Sequence, residues 1–518
     1  MVRSCEIFAM TQRVAKIILT IIILSALVVA VFTDACADMT VFGSVSGRWL
    51  RDLSPYYVMD SIYVPEGEEL VIEPGVQVLF NGIYRFTVFG LLRAEGGVEE
   101  NERIRFSNGR TTQWLGIEFF QEADARSRLV NCDIDSAWWG VSINNHSGLL
   151  IQGCSINALS IGISCNRAAP YIHNNRLISA SGANTISSVK AILLENSSNP
   201  QIVNNQLIIA RAYGGGEAYG IHSVRSSPLL YGNWIEARSD VGATGIHIER
   251  TFKLLINRNI IRTYSMRSMR GLWILNASGI SFESNTLHLM ASSNDAIGIF
   301  MFGSEVEIRN NIVIGNGSSI GDRTIGGTVH GNSGWNDYWL HATNHFGGWN
   351  GGEGEIHADP LFANFTINSD ADYHLTWASF PDRHSKSPCI DAGCPNITDE
   401  GDIYNTRSDI GRYPFIYNPA QTSVSLPATL AAVFDLKAVY PNPFNSSANI
   451  EFALSQPGQI SVKAFDTRGC LTDFIYNGAL EAGFHRIAWT PKGIAAGSYI
   501  VKLQSNTDEQ TVMLIYSP

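Results

Sequence analysis

Charge is scarce in this chain: Asp, Glu, Lys and Arg make up 16% of its 518 residues. The 36 basic residues form no run, so the electrostatic footprint of a nucleic-acid-binding protein is missing. Cysteine is sparse too, and the eight present include no C-x-x-C pair, which argues against a zinc site. No segment carries the apolar stripe of an amphipathic helix. The longest apolar stretch, Ile17 to Phe32, has sixteen residues, short of the about 20 that a membrane-spanning helix needs. What is left is an acidic chain of net charge −11, a balance that serves solubility. It is also too long for one ordinary globular core.

Repetition is what the chain has in quantity. Nine segments end in an Asn or a stand-in at Cys132, Cys154, Asn175, Asn205, Asn233, Asn259, Asn285, Asn311 and Asn332, spaced 22, 21, 30, 28, 26, 26, 26 and 21 residues apart. A fixed period in this range marks a solenoid, whose growth in one dimension escapes the size limit. A second column, Gly-Ile or a variant, opens a short run at Gly116, Gly140, Gly162, Ala191, Gly220, Gly245, Gly271 and Gly298. Each run alternates: in Ile246-His247-Ile248-Glu249 the isoleucines face one way and the polar residues the other. Proline marks strand starts at Pro170, Pro200 and Pro228, where its missing N–H is tolerated.

Short strands rich in Ile and Val, with Ser, Asn and Gly at the turns, predict a parallel β-helix. Coils one strand spacing apart, about 4.8 Å, stack their inward Ile, Val and Leu into one core. The Asn column suits a sharp left-handed turn, and its amides are placed to bond to the coils above and below. Cys132 and Cys154 fall in the same column, where they either pair or stay reduced, and Cys389 and Cys394 are near enough to close a small loop. A leucine-rich repeat also carries one Asn per turn. It needs L-x-x-L-x-L before that Asn, which Gln201-Ile202-Val203-Asn204-Asn205 does not supply.

The entry segment, with Glu73-Pro74-Gly75-Val76 and Trp114-Leu115-Gly116-Ile117, resembles that of secreted right-handed parallel β-helix proteins of the pectate-lyase-like type. The series Asp359-Pro360-Leu361-Phe362, Tyr373-His374-Leu375, Ser387-Pro388-Cys389-Ile390-Asp391 and Asp409-Ile410-Gly411 is similar to their C-terminal cap. Asp391, Asp402 and Asp409 are compatible with Ca2+, although turn and cap hydrogen bonding explains them as well; no other cofactor is expected. At the N-terminus, Arg13 and Lys16 before the apolar stretch, then Ala35-Cys36-Ala37, read as an export signal cleaved after Ala37.

The last segment alternates in short strands, through Ile450, Phe452 and Leu454 and later Tyr499, Val501 and Leu503, which predicts a small immunoglobulin-like β-sandwich. Its opening Tyr440-Pro441-Asn442-Pro443-Phe444-Asn445 and its Ala496-Gly497-Ser498-Tyr499 resemble the C-terminal sorting domain of the type IX secretion system. That resemblance implies passage through the outer-membrane secretion machinery to the medium or outer surface of a Gram-negative-type bacterium. The family's basic residue before the last strand is absent from Gln510-Thr511-Val512-Met513-Leu514. An immunoglobulin-like module of flagellar hook-capping proteins is an alternative of similar sequence. The expected organisation is a signal peptide (1–37), a β-helix (38–336), its cap (337–416), a linker (417–436) and the sandwich (437–518).

The Gly-Ile register also orders the outward side chains. One row reads Glu118, Ser142, Ser164, Leu193, His222, His247, Trp273, Phe300; the next reads Phe120, Asn144, Asn166, Glu195, Val224, Glu249, Leu275, Phe302. Aromatic faces beside polar groups suit sugar rings. The candidate binding residues are therefore Glu195, His222, Arg225, His247, Glu249, Arg250, Trp273 and Phe300, with the arginines suited to a uronate carboxylate. His222, His247 and Glu249 are the candidate acid–base groups. Outward aromatics also serve simply to pack beneath loops, and outward His and Glu are often only solvated. The motifs of polygalacturonases are absent, and Asp133, Asp135, Asp240 and Asp295 share no column that would hold a lyase calcium. Two readings follow: a surface β-helix that binds glycan or mediates adhesion, and a polysaccharide lyase or glycosidase acting on uronate polymers.

Overall fold

The computed structural model describes residues 39–517, leaving out 111–112, 183–186, 292, 294, 367–370, 379–382, 396, 398–405, 416–433, 441, 443, 455–457, 467–470, 481–482, 492 and 505–508. The export signal, Asp402 and most of the expected linker lie outside the described residues. The chain divides into two compact units, residues 1–418 and 419–518.

The first unit is a parallel β-solenoid with three faces. One coil runs Leu229–Tyr231 on the first face, Trp234–Ser239 on the second and Gly242–Glu249 on the third; the next runs Phe252–Asn257, Ile260–Tyr264 and Ser268–Leu275. Each strand pairs in parallel with its counterpart one coil later. The first face is a single twelve-stranded sheet. The second and third are joined, because early strands such as Cys132–Asn144 and Ser155–Asn166 bend round the corner between them. Strands continue the coil pattern to Thr343–Gly347.

Alternation places Ile221, Ser223, Ile246, Ile248, Leu272 and Ile274 inside, all fully buried. Each buried isoleucine contributes about 1.5–3 kcal/mol. The Gly of the Gly-Ile pair has a steric cause. A Cβ on Gly220 would lie 2.4 Å from Ile235 Cγ2 and 2.5 Å from the Gly245 carbonyl; on Gly245 it would meet Ile261 Cγ2 at 2.3 Å and the Gly271 carbonyl at 2.7 Å. The second-face isoleucines fill the space beneath the start of the third face, and no side chain fits there.

The Asn column stands at the corner between the first and second faces. From Asn175 through Asn205, Asn233, Asn259, Asn285 and Asn311 to Asn336, each Nδ2 donates to the next Oδ1 at 2.8–3.1 Å. That Oδ1 also accepts the backbone N–H of the Asn below; the Asn259 N–H, for example, donates to Asn285 Oδ1 at 2.9 Å. A second Nδ2 bond goes to a carbonyl of the preceding coil, as from Asn259 to Leu230 O at 3.0 Å. The buried amides are thereby saturated.

Two sequence expectations are corrected here, and the cysteine pairing that the spacing left open is decided. The last member of the column is Asn336, not Asn332, because the chain makes an extra turn at His330–Ser333 before rejoining the coil. The left-handed residue is the one before the column: Asn204, Gly232, Arg258, Ser284 and Asn310 have φ of 52°, 70°, 54°, 50° and 56°. Cys389 and Cys394 form no disulfide; both are free, as are Cys132 and Cys154. Cys389 Sγ donates to Asp337 Oδ2 at 3.3 Å instead, and burial holds that carboxyl's pKa up at about 7.

The segment with the cap-like motifs lies along the outside of the second face. Ala371, Tyr373, Leu375, Cys389, Ile390 and Ile410 share a buried cluster with Ile260, Ile312 and Ile314. The Gly411 N–H donates to Asn310 O at 2.7 Å and the Arg412 N–H to Thr286 Oγ1 at 3.1 Å. Beneath this cover sits a buried polar row, Glu236, Arg262 and His288, in register on adjacent strands. Arg262 is fully buried, lies 3.3 Å from Glu236 and stacks 5.4 Å from the Trp234 ring. His288 Nδ1 is 2.8 Å from Tyr373 OH.

The core column of the third face ends in charge. Ile299 is followed in register by Asp322 and then His345. The His345 ring is held between Asp322 Oδ2 and Glu355 Oε1, each at 2.5 Å. Burial opposes the charge on His345, but the two carboxylates outweigh it and push its pKa up to about 9.

The second unit has two antiparallel sheets, Phe434–Tyr440 with Ala448–Leu454 and Gly483–Trp489, and Leu471–Leu480 with Gly458–Asp466, Gly497–Gln504 and Glu509–Tyr516. They enclose one apolar core and form a small β-sandwich.

Candidate functional site

The outward rows read from the sequence are the rows of the third face. His222 pairs with Leu193 and His247, His247 with Trp273, and Trp273 with Phe300. The row continues beyond the predicted residues to Arg323 and Phe346. Parallel in-register strands bring these rings within stacking distance. Centroids lie 4.6 Å apart for His222–His247 and 4.7 Å for His247–Trp273, with planes tilted by 11° and 16°. Trp273 meets Phe300 edge-on at 6.0 Å. The inner rings therefore cover one another's faces.

Stacking desolvates the imidazoles. Burial, with the nearby His247 and Lys190 adding to it, holds the His222 pKa down at about 3, and burial holds His247 at about 4. Both are neutral at physiological pH. His222 Nδ1, both ring nitrogens of His247 and Trp273 Nε1 are buried without a hydrogen-bond partner among the described residues.

The other predicted residues stand nearby but do not converge. Glu195 and Glu249 flank Val224 in the second row, two strand spacings or about 10 Å apart along the solenoid. Arg225 and Arg250 occupy the left-handed corner leading to the first face, with φ of 51° and 52°. Arg225 Nη2 donates to Asn196 Oδ1 at 2.9 Å, and Arg250 lies 3.3 Å from Glu249.

A third outward row, preceding the Gly column, was not singled out in the sequence: Trp139, Ile161, Lys190, Tyr219, Thr244 and Arg270. Its signal was available as the residue before each Gly of the column, or before Ala191 in the case of Lys190. Tyr219 stacks on His222 at 4.9 Å, and Lys190 Nζ lies 5.8 Å from the Tyr219 ring. Arg270 pairs with Asp295 at 2.8 Å and lies 5.7 Å from the Phe300 ring.

Among the described residues no group of three or more His, Cys, Asp or Glu is placed to hold a metal ion. Asp391 pairs with Lys386, and Asp409 Oδ1 accepts the Asp391 N–H at 2.7 Å.

In the C-terminal unit, Phe444 of the Asn-Pro-Phe-Asn opening is buried against Trp489 and Tyr516, at 5.3 and 5.1 Å. Asn442 Oδ1 accepts the Ile515 N–H at 2.8 Å, tying the opening to the last strand. Tyr499 OH donates to Ala495 O at 2.7 Å. Residues 438–517 match the secretion system C-terminal sorting domain family. This unit is a type IX sorting domain. The sorting domain makes the type IX secretion machinery a partner of the chain and its destination the medium or the outer cell surface. No curated protein matches the chain.

Proposed function

We propose that this secreted, type IX-sorted β-solenoid is a non-catalytic binding protein that engages surface glycan, in adhesion or capture, through the outward side of its third face. The observation that carries this reading is the arrangement of the imidazole row: His222 and His247 stack face to face with Trp273, and the nearby carboxylate Glu249 stands in a different row. A general base works best with a pKa near the operating pH, and His222 and His247, held down at about 3 and 4, are far below it. They stay neutral but take up protons poorly, and Glu249 lies in a different row. The stacked rings cover one another's faces, so the outward rings open to a saccharide are the exposed Trp139, Phe302 and Phe346, the last with Arg323 5.2 Å from its ring. The alternative, a uronate lyase or glycosidase using His222, His247 and Glu249, makes a different prediction. Incubating the secreted chain with a panel of uronate polymers and following absorbance of the unsaturated product should give no turnover, while a glycan array should give binding. Turnover abolished by His247→Ala would overturn the binding reading in favour of the enzyme.

A further inference from the structure

The outward side of the first face carries a pattern that reads in both directions. Parallel register fixes its middle row, and Gln201 stands at the centre. Counted one way from Gln201, the row runs Tyr171, Leu150, Arg128 and Arg93. Counted the other way, it runs Leu229, Leu255, Ser281 and Glu307. The first two steps are apolar on both sides, and the last is basic on one side and acidic on the other. The neighbouring row, centred on Val203, has the signs exchanged, since the same number of steps leads to Glu95 one way and to Arg309 the other.

Each end closes its charges within the chain, with Arg93 3.4 Å from Glu95 and Arg309 3.0 Å from Glu307. The centre has no such closure. Tyr171, Leu229 and Leu255 are 38%, 36% and 38% exposed, although apolar surface on a parallel sheet is ordinarily covered. The second face has its cover in the segment that packs on Ile260, Ile312 and Ile314.

The pattern is complementary to itself. A second copy can lie face to face with the first, turned about a two-fold axis along the Gln201–Val203 strand, so that the two solenoids run in opposite directions. Gln201 then faces Gln201, Tyr171 faces Leu229, Leu150 faces Leu255, Arg93 faces Glu307 and Glu95 faces Arg309. Arg128 meets Ser281, with Glu283 beside it. Turning the copy about the solenoid axis instead sets Arg93 on Arg93 and Glu307 on Glu307. Apolar contact at the centre supplies affinity, and the charges at the ends set the direction. From the Arg93 strand to the Glu307 strand is about 38 Å, and the outward rows span about 16 Å of strand. Each partner then buries on the order of 600 Å², at the lower end of specific interfaces.

We infer that the first face is the interface of a two-fold dimer of this chain, with the solenoids antiparallel.

The test is sedimentation of the full secreted chain over a range of concentrations, which should show a monomer–dimer equilibrium. Arg93→Glu and Glu307→Arg should each weaken the dimer roughly tenfold or more. Mixing the two variants should restore it, because one then carries acid at both ends of the middle row and the other carries base at both. Leu229→Asp, at an exposed central position, should give a monomer with thermal unfolding unchanged, and it decides if either charge reversal lowers the unfolding temperature. A chain that stays monomeric at every concentration overturns the interface. So does a dimer that survives all three substitutions, because another surface then holds it, the sorting domain included. Weakening by both charge reversals without rescue on mixing overturns the two-fold arrangement.

Discussion

The Asn column at the first corner and the imidazole column on the third face climb the same coils at the same spacing, and both are buried: Asn259 is 0% exposed and His247 7%. They differ in hydrogen bonding. Asn259 uses its amide on Asn285, Leu230 and Asn257 and accepts from Asn233, whereas neither ring nitrogen of His247 has a partner among the described residues. A column that closes its own hydrogen bonds is scaffold. One that leaves nitrogens open pays for it in stability, so a ligand or a packing role has to justify it.

Replacing a member of each column by leucine should separate the two sharply. Asn259→Leu strips partners from both neighbouring coils and should destabilise the first unit by about 4 kcal/mol, read as a lower denaturant midpoint. Gly245→Ala should cost about 2–3 kcal/mol, because its Cβ must displace Ile261 or the Gly271 carbonyl. Next comes the charged end of the third-face core. His345 is raised in the folded state from its ordinary 6.5 to about 9, so its stabilisation is complete below pH 6.5 and lost as pH rises through 9. The unfolding free energy measured from pH 6 to 10 should fall by about 3 kcal/mol, and His345→Gln should flatten that decline. The smallest effect is expected for His247→Leu, within about 1 kcal/mol of the parent, since it removes unpaired nitrogens from a buried stack. A large loss there would mean that the imidazole column is scaffold too.

Much of this was legible in the residues. The Gly-Ile marker and the period of two fixed the outward rows, so His222, His247, Trp273 and Phe300 could be ordered before any coordinates, as could the small sandwich behind Tyr440-Pro441-Asn442. What escaped depends on long separations or local detours. An extra turn of chain at His330–Ser333 displaced the end of the Asn column. The Glu236–Arg262–His288 row was not singled out, since nothing near it in sequence announces that Tyr373, 85 positions beyond His288, covers it. Pairing of the rings face to face is also invisible to periodicity. That pairing, through desolvation, is what holds the imidazole pKa values down.

In the four coils from Gly232 to Asn311 the strands of the first and second faces are bridged by two residues each, Gly232–Asn233, Arg258–Asn259, Ser284–Asn285 and Asn310–Asn311, while the passage into the third face lengthens from two residues between Ser239 and Gly242 to three between Tyr264 and Ser268 and five between Leu289 and Asp295. Over this stretch the chain tolerates added length at one corner, beside its ring-lined face, while the Asn corner keeps the stack in step.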